Sequence, residues 1–226
     1  MIKRFASLID PKIARRSGKV FYSGRSAFRK KSDLYLIGIN PGGNPATHKK
    51  ETIQSHTIEV LGTLPAQWSA YCDEGWPTDS PNPNPPGTYG MQPRVLHMLR
   101  RLGRDPRTTP SSNLIFVRSK SEKDLKKNWQ KLADHCWPFH QEVIRVLRPR
   151  VIVCFGQKTG KSIRDRLSAN RHVWQLEENN NRRWKSDAHL SDEGIAVVTV
   201  THPSWADWTN PATDPTPLVR KMLKRR

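Results

Sequence analysis

Four short apolar runs mark the chain, at residues 34–39, 114–117, 151–155 and 195–201. Runs of this length next to turn residues predict buried strands. Between them the apolar spacing changes to three and four residues, the period of a helix packed on one face. Val95, Leu96, Leu99 and Leu102 share such a face over 93–102, with Gly103 placed to end it. Leu125, Trp129, Leu132, Cys136, Phe139, Val143 and Leu147 mark a longer helix, which Pro138 is predicted to kink or split. Further helices are predicted over 52–61, 157–167 and 218–226. Residues 170–193 are polar, with Asn179, Asn180 and Asn181 as a turn, and no internal repeat is present. The strand–helix alternation predicts one α/β domain over 1–226: a three-layer sandwich with a mostly parallel four-stranded sheet flanked by helices.

Two segments stand outside that pattern. Residues 1–33 are basic (Arg15, Arg16, Lys19, Arg25, Arg29, Lys30, Lys31) and read either as a solvated leader or as an arm lying along phosphates. Residues 43–90 form an insertion rich in Trp and Pro. Its stretch 80–87, SPNPNPPG, is neither helix nor central strand. A connection this long is functional or disordered.

Charge narrows the partners. Lys and Arg number 39 against 20 Asp and Glu, a net +19, which points to nucleic acid or an anionic membrane surface. The longest apolar run, 151–155, cannot span a bilayer, and the N-terminal residues lack the apolar core of a signal peptide. DNA is therefore the expected partner, with no membrane, a monomer as the working unit, and a cytoplasmic location. Cys72, Cys136 and Cys154 form no C-x-x-C pair, which fits a reducing compartment. His135, Cys136 and His140 cluster at helical spacing without a fourth ligand, so neither a metal nor a cofactor is expected.

In open α/β sheets, ligands bind beyond the carboxyl ends of strands. Two predicted strand ends carry distinctive residues: Gly38-Ile39-Asn40-Pro41-Gly42, and His202-Pro203-Ser204-Trp205 after Thr201. A third, Gly156 to Ser162, looks like a P-loop. It has three residues rather than four between its first Gly and the Gly160-Lys161 pair, so it reads as a basic helix start at which Lys158 and Lys161 meet DNA phosphate. Nucleotide binding there stays open as a weaker alternative.

Gly38 to Gly42 resembles the first motif of the uracil-DNA glycosylase superfamily, nearest to its mismatch-specific and single-strand-selective branches. His202-Pro203-Ser204 resembles the second motif, and 149–156, PRVIVCFG, the strand between them. The resemblance implies a glycosylase that flips a base from DNA and hydrolyses its N-glycosidic bond. It assigns Asn40 to positioning the attacking water and His202 to holding negative charge on the leaving base. It places Gly38, Ile39, Pro41 and Gly42 around the base. Ser204 and Trp205 would meet the DNA, with Trp205 or Trp208 as an apolar wedge. Neither motif holds a lysine, so no Schiff base and no lyase step is expected. The alternative class is a DNA-binding module that kept the fold without turnover.

Three departures from the family bear on the substrate. Arg118 or Ser119 falls where uracil-specific members carry a base-reading Asn, and an Arg offers donors only. Gly42 replaces the Tyr that excludes C5 substituents in the fast branch. Tyr89, the expected stacking residue, follows an insertion carrying Trp68, Tyr71 and Trp76. Together they point to a C5-substituted or hypermodified pyrimidine, or else uracil, in DNA repair or defence against phage.

Overall fold

A computed structural model describes residues 1–78, 80–125 and 128–225. The strands are β1 (Leu34–Gly38), β2 (Ser111–Asn113), β3 (Val151–Phe155), β4 (Arg171–Glu177), β5 (Lys185–Leu190) and β6 (Ala196–Val200). The α-helices are α1 (Ile2–Ala6), α2 (Pro11–Ala14), α3 (Ile53–Ile58), α4 (Ala70–Asp73), α5 (Gln92–Leu102), α6 (Trp129–Leu147), α7 (Gln157–Arg166) and α8 (Thr216–Lys224). One mixed sheet of six strands runs in the order β2-β1-β3-β6-β5-β4. Its first four strands are parallel and its last two antiparallel.

The expected four-stranded sheet is thus the parallel part of a larger one. β1, β3 and β6 are buried along their whole length, as strands covered on both faces must be. Side chains alternate across the pleat. Tyr35 bonds His140 of α6 at 2.9 Å, and Thr199, on the same face, lies against Gly160 of α7. Trp174, on the other face, carries Lys221 of α8 over its ring. Helices therefore flank both faces. Among the described residues, no helix is long and apolar enough to cross a membrane.

Several expectations need correction. The hairpin β4–β5 falls in the polar stretch 170–193 and was not expected. β4 lies at the sheet edge, largely exposed, so it carries no apolar run. The strand expected at 114–117 is displaced: the ladder uses Ser111–Asn113, and the buried run 114–117 continues past it. The serine hydroxyls and the Asn113 carbonyl are stable there because each finds a partner. Ser112 Oγ donates to Val20 O at 2.6 Å, and His140 Nε2 to Asn113 O at 3.0 Å.

Pro138 does not split α6. A proline inside a helix costs about 3 kcal/mol. Burying Cys136, Phe139, Val143 and Leu147 returns roughly 1.5–3 kcal/mol for each large side chain, which is enough to hold the helix together. Of the expected residues, 126, 127 and 226 lie outside those described.

Residues 1–33 neither trail into solvent nor form a free arm. Phe5, Ile13, Phe21 and Phe28 are fully buried or nearly so, and Phe5 and Phe21 meet Phe139 edge-on. Part of the segment 43–90 also packs into the fold, with Ile53, Val60, Ala70 and Tyr71 buried, while residues 81–86 are exposed and residue 79 is not described. Trp68 is buried against His56 and supports the core rather than a pocket.

Two buried imidazoles predict the pH response. Burial pushes His140 down to about 4. His56 falls well below its usual value through burial and the nearby Lys19 and Arg118 charges. Unfolded, each takes a proton near about pH 6.5. The unfolded state then binds more protons than the folded one between those values, so stability declines as pH falls from 6.5 towards 4. The urea midpoint is expected to be lower at pH 5 than at pH 7 and level between 7 and 8. A midpoint flat from 7 to 5 would contradict neutral burial.

Candidate active site

The carboxyl ends of β1, β2, β3 and β6 open into one cleft of about 1090 Å³. Gly38, Ile39, Asn40, Gly42, Tyr89, Arg118, Ser119, Lys158, His202, Ser204 and Trp205 all line it. Two residues expected at the site, Pro41 and Lys161, do not. Lys161 points elsewhere, paired with Asp165 at 2.7 Å.

Asn40 is held by its amide nitrogen. Nδ2 donates to Pro41 O at 2.8 Å, Ser119 Oγ at 2.9 Å and Val117 O at 3.3 Å. With the NH₂ group committed to the protein, Oδ1 is the atom left to accept from a bound molecule. Ser119 is thereby a positioning residue: its hydroxyl accepts from Asn40 and donates to Ser121 O at 2.8 Å.

His202 has a defined tautomer. The Ser204 backbone N–H donates to Nδ1 at 3.1 Å, and the Ser204 hydroxyl lies 2.6 Å from the same nitrogen. A backbone N–H cannot accept, so Nδ1 carries no proton and the neutral ring bears it on Nε2. That nitrogen has no protein partner among the described residues. Burial lowers His202 to about 4, with Glu122 opposing, so the ring is a neutral donor at pH 7. Phe155 meets it edge-on at 6.4 Å. Its loop is pinned by Trp208 Nε1 on Thr201 O at 3.1 Å and by Arg94 on Pro203 O. Trp208 is wholly buried against Phe155 and is not a wedge, whereas Trp205 is 69% exposed.

Arg118 lies at the cleft but is not free to read a base. It is buried, and its donors go to Ser17 Oγ at 3.2 Å, to Gly42 O and to the Glu51 carboxylate. Sequence puts Arg118 or Ser119 at the strand end where uracil-specific members carry an amide; in the structure an amide does stand at a strand end, at Asn113, the last residue of β2, level with Gly38. Asn113 lines the cleft and is 6% exposed, and its Nδ2 is buried without a hydrogen-bond partner of regular geometry, with the Tyr22 phenol close beside it. A Cβ at residue 38 would stand 2.1 Å from Asn113 Oδ1, so only glycine admits the amide. Only the strand register, and no composition signal, points to Asn113.

Tyr71 and Trp76 of the insertion line the cleft, and Tyr22, which was missed, joins them in an aromatic cluster with centroids 5.9–6.4 Å apart. Trp76 Nε1 donates to Glu74 at 2.8 Å. Further cleft residues were also missed. Glu122 faces Lys158 as an ion pair, and Arg183, Trp184 and Lys185 come from the β4–β5 hairpin. Tyr89 is 45% exposed.

No protein-family model matches the chain, and a search of curated proteins finds no match.

Two outcomes follow from this geometry. The His202 ring proton resonance is expected to stay level from pH 8 to 5.5 and to move only near pH 4; titration around 6.5 would contradict the buried neutral imidazole. Gly38→Ala is expected to cost roughly 1–3 kcal/mol by overpacking against Asn113. An unchanged urea midpoint for that variant would show that the contact is slack.

Proposed function

We propose that this protein is a monofunctional DNA N-glycosylase that takes a flipped pyrimidine into the cleft and hydrolyses its bond to deoxyribose, acting as a monomer without a cofactor. One observation carries the reading: a neutral imidazole donor, a lone amide acceptor and a buried amide beside Tyr22, from His202, Asn40 and Asn113, share one cleft at the strand ends.

Each group has a chemical task in that reaction. The N1–C1′ bond breaks with its electron pair going to the base, which leaves positive charge on the sugar. His202 Nε2–H donates to the oxygen that gains negative charge on the base, a preorganised donor in a water-poor site. Asn40 Oδ1 accepts from a water and holds it towards C1′. The water forms the new C–O bond and gives up a proton, and the base leaves protonated. An amide is not a strong base; here it need only position the water, because the cationic sugar is reactive. Asn113 offers an acceptor and a donor side by side, which suits the hydrogen-bonding edge of a pyrimidine.

For the substrate we favour a C5-substituted or hypermodified pyrimidine over plain uracil. A Cβ at Gly42 meets nothing within 4 Å, so no wall stands there. The cleft is slightly larger than the ~300–1,000 Å³ range of small-molecule sites, and Tyr22, Tyr71 and Trp76 offer ring faces for a base or an attached group.

The assay is excision on matched duplexes holding uracil, 5-hydroxymethyluracil, 5-hydroxymethylcytosine or its glucosylated form, read as breaks after hot alkali. Asn40→Ala and His202→Ala are each expected to slow single-turnover cleavage by on the order of 100-fold or more with DNA affinity kept. DNA bound without any break would leave the non-catalytic binding module. Gly42→Tyr is expected to fold and to shift preference towards plain uracil. Uracil as the fastest wild-type substrate by a wide margin would sink the substrate assignment. Affinity is expected to fall steeply with salt as phosphate contacts release counterions.

A further inference from the structure

The Asn113 amide is carried into the cleft by a short strand. β2 has three residues, Ser-Ser-Asn, and lies last in the order of the sheet, so no apolar side chain of its own anchors it. On the β1 side, Leu114 N donates to Gly38 O at 2.8 Å, and the amide oxygen lies close against Gly38. A second hold on the Asn113–Leu114 peptide comes from α6, none of whose described residues lines the cleft.

That hold is a chain of two hydrogen bonds through the core. His140 Nε2 lies 3.0 Å from Asn113 O, which can only accept, so Nε2 bears the ring proton. The neutral ring then presents Nδ1 as an acceptor, and Tyr35 Oη donates to it at 2.9 Å. Burial keeps both groups in the forms this needs. It pushes the Tyr35 phenol above its usual range and His140 down to about 4. The direction of donation is therefore fixed, from the Tyr35 hydroxyl through the imidazole to the Asn113 carbonyl. Both side chains are wholly buried, and Phe139, Phe116 and Trp137 crowd the imidazole at centroid distances of 5.3, 5.4 and 6.3 Å. Packing at interior density holds such a ring in one rotamer.

We propose that Tyr35 and His140 are positioning residues for Asn113, and that through this buried relay they set which pyrimidine edge the cleft accepts. The proposal rests on the glycosylase reading. Neither residue touches the ligand. An amide discriminates only while its oxygen and nitrogen stand at fixed places, because an edge with donor and acceptor exchanged then meets like with like. Uracil-type and cytosine-type bases differ by that exchange at N3 and at the group on C4. Hydrogen bonds weaken steeply once distance and angle depart from their best values, so a small shift of the Asn113 peptide erodes the discrimination.

The test uses the full chain and matched duplexes holding 5-hydroxymethyluracil or 5-hydroxymethylcytosine, which share the C5 substituent and differ on that edge. The readout is the ratio of their kcat/KM values. The cost of unpairing each base belongs to the DNA and cancels when variants are compared. Asn113→Ala is expected to shift the ratio from its wild-type value by roughly tenfold or more. His140→Phe and Tyr35→Phe are expected to shift it the same way by about three- to tenfold. His140→Gln should recover most of the wild-type ratio, since its amide can donate to Asn113 O and accept from Tyr35. Asn113→Ala combined with His140→Phe should shift it no further than Asn113→Ala, because the relay acts only through Asn113. A merely structural role gives a different result: loss of folded protein divides both rates by one factor and leaves the ratio unmoved. Tyr35→Phe removes a single oxygen and carries the test if His140→Phe does not fold. A ratio unmoved in Asn113→Ala or in Tyr35→Phe, or shifts that multiply in the double variant, would overturn the proposal and leave the glycosylase reading standing. A wild type that binds no DNA removes that reading and this proposal with it. If DNA is bound but not cut, the same ratio taken from dissociation constants decides.

Discussion

The cleft exists because a lysine is buried with its charge behind it. Lys19 takes both oxygens of Glu74 at 2.9 Å and one of Glu51 at 3.0 Å, while Arg118 holds the other oxygen of Glu51. Burial alone would lower Lys19, but the two carboxylates outweigh it and hold it above its usual value. One charge cluster thus joins the N-terminal segment, the insertion and the loop after β2. Removing one partner of such a group costs about 3–5 kcal/mol, since it leaves a buried charge uncompensated. The insertion stays seated over the strand ends for that reason, and its Tyr71, Trp76 and Tyr89 face the cleft.

The same exclusion of water sets the chemistry of the mouth. Burial keeps His202 neutral, and the Ser204 N–H fixes which nitrogen bears the proton. Asn40 and Arg118 show the complementary effect of hydrogen bonding. Asn40 keeps one heteroatom for a ligand because its nitrogen is committed. Arg118 is spent on Glu51, Gly42 and Ser17, and so shapes the wall without reading what lies against it.

Much of the scaffold was legible in the chain. The runs at 34–39, 151–155 and 195–201 lie within a residue or so of β1, β3 and β6, because strands covered on both faces must be apolar throughout. α5 likewise matches its apolar spacing, α7 its expected range, and Gly103 ends α5 in the left-handed conformation expected of such a glycine. What escaped was polar. β4 sits at an edge, and β2 is Ser-Ser-Asn with its hydroxyls satisfied inside the core, so neither leaves a hydrophobic pattern.

Sequence by itself determined the alternating α/β plan, the positive charge and the two strand ends that bear Asn40 and His202, because these depend on local period and composition. Tertiary structure alone decided which residues meet. It put Asn113 opposite Gly38 and withdrew Arg118 into an ion pair. It drew the basic N-terminal segment into the core, and it set Trp184 against Trp205. These are matters of strand register and of partners distant in the chain. A residue's type limits which bonds it can make, but the fold decides which partners are within reach.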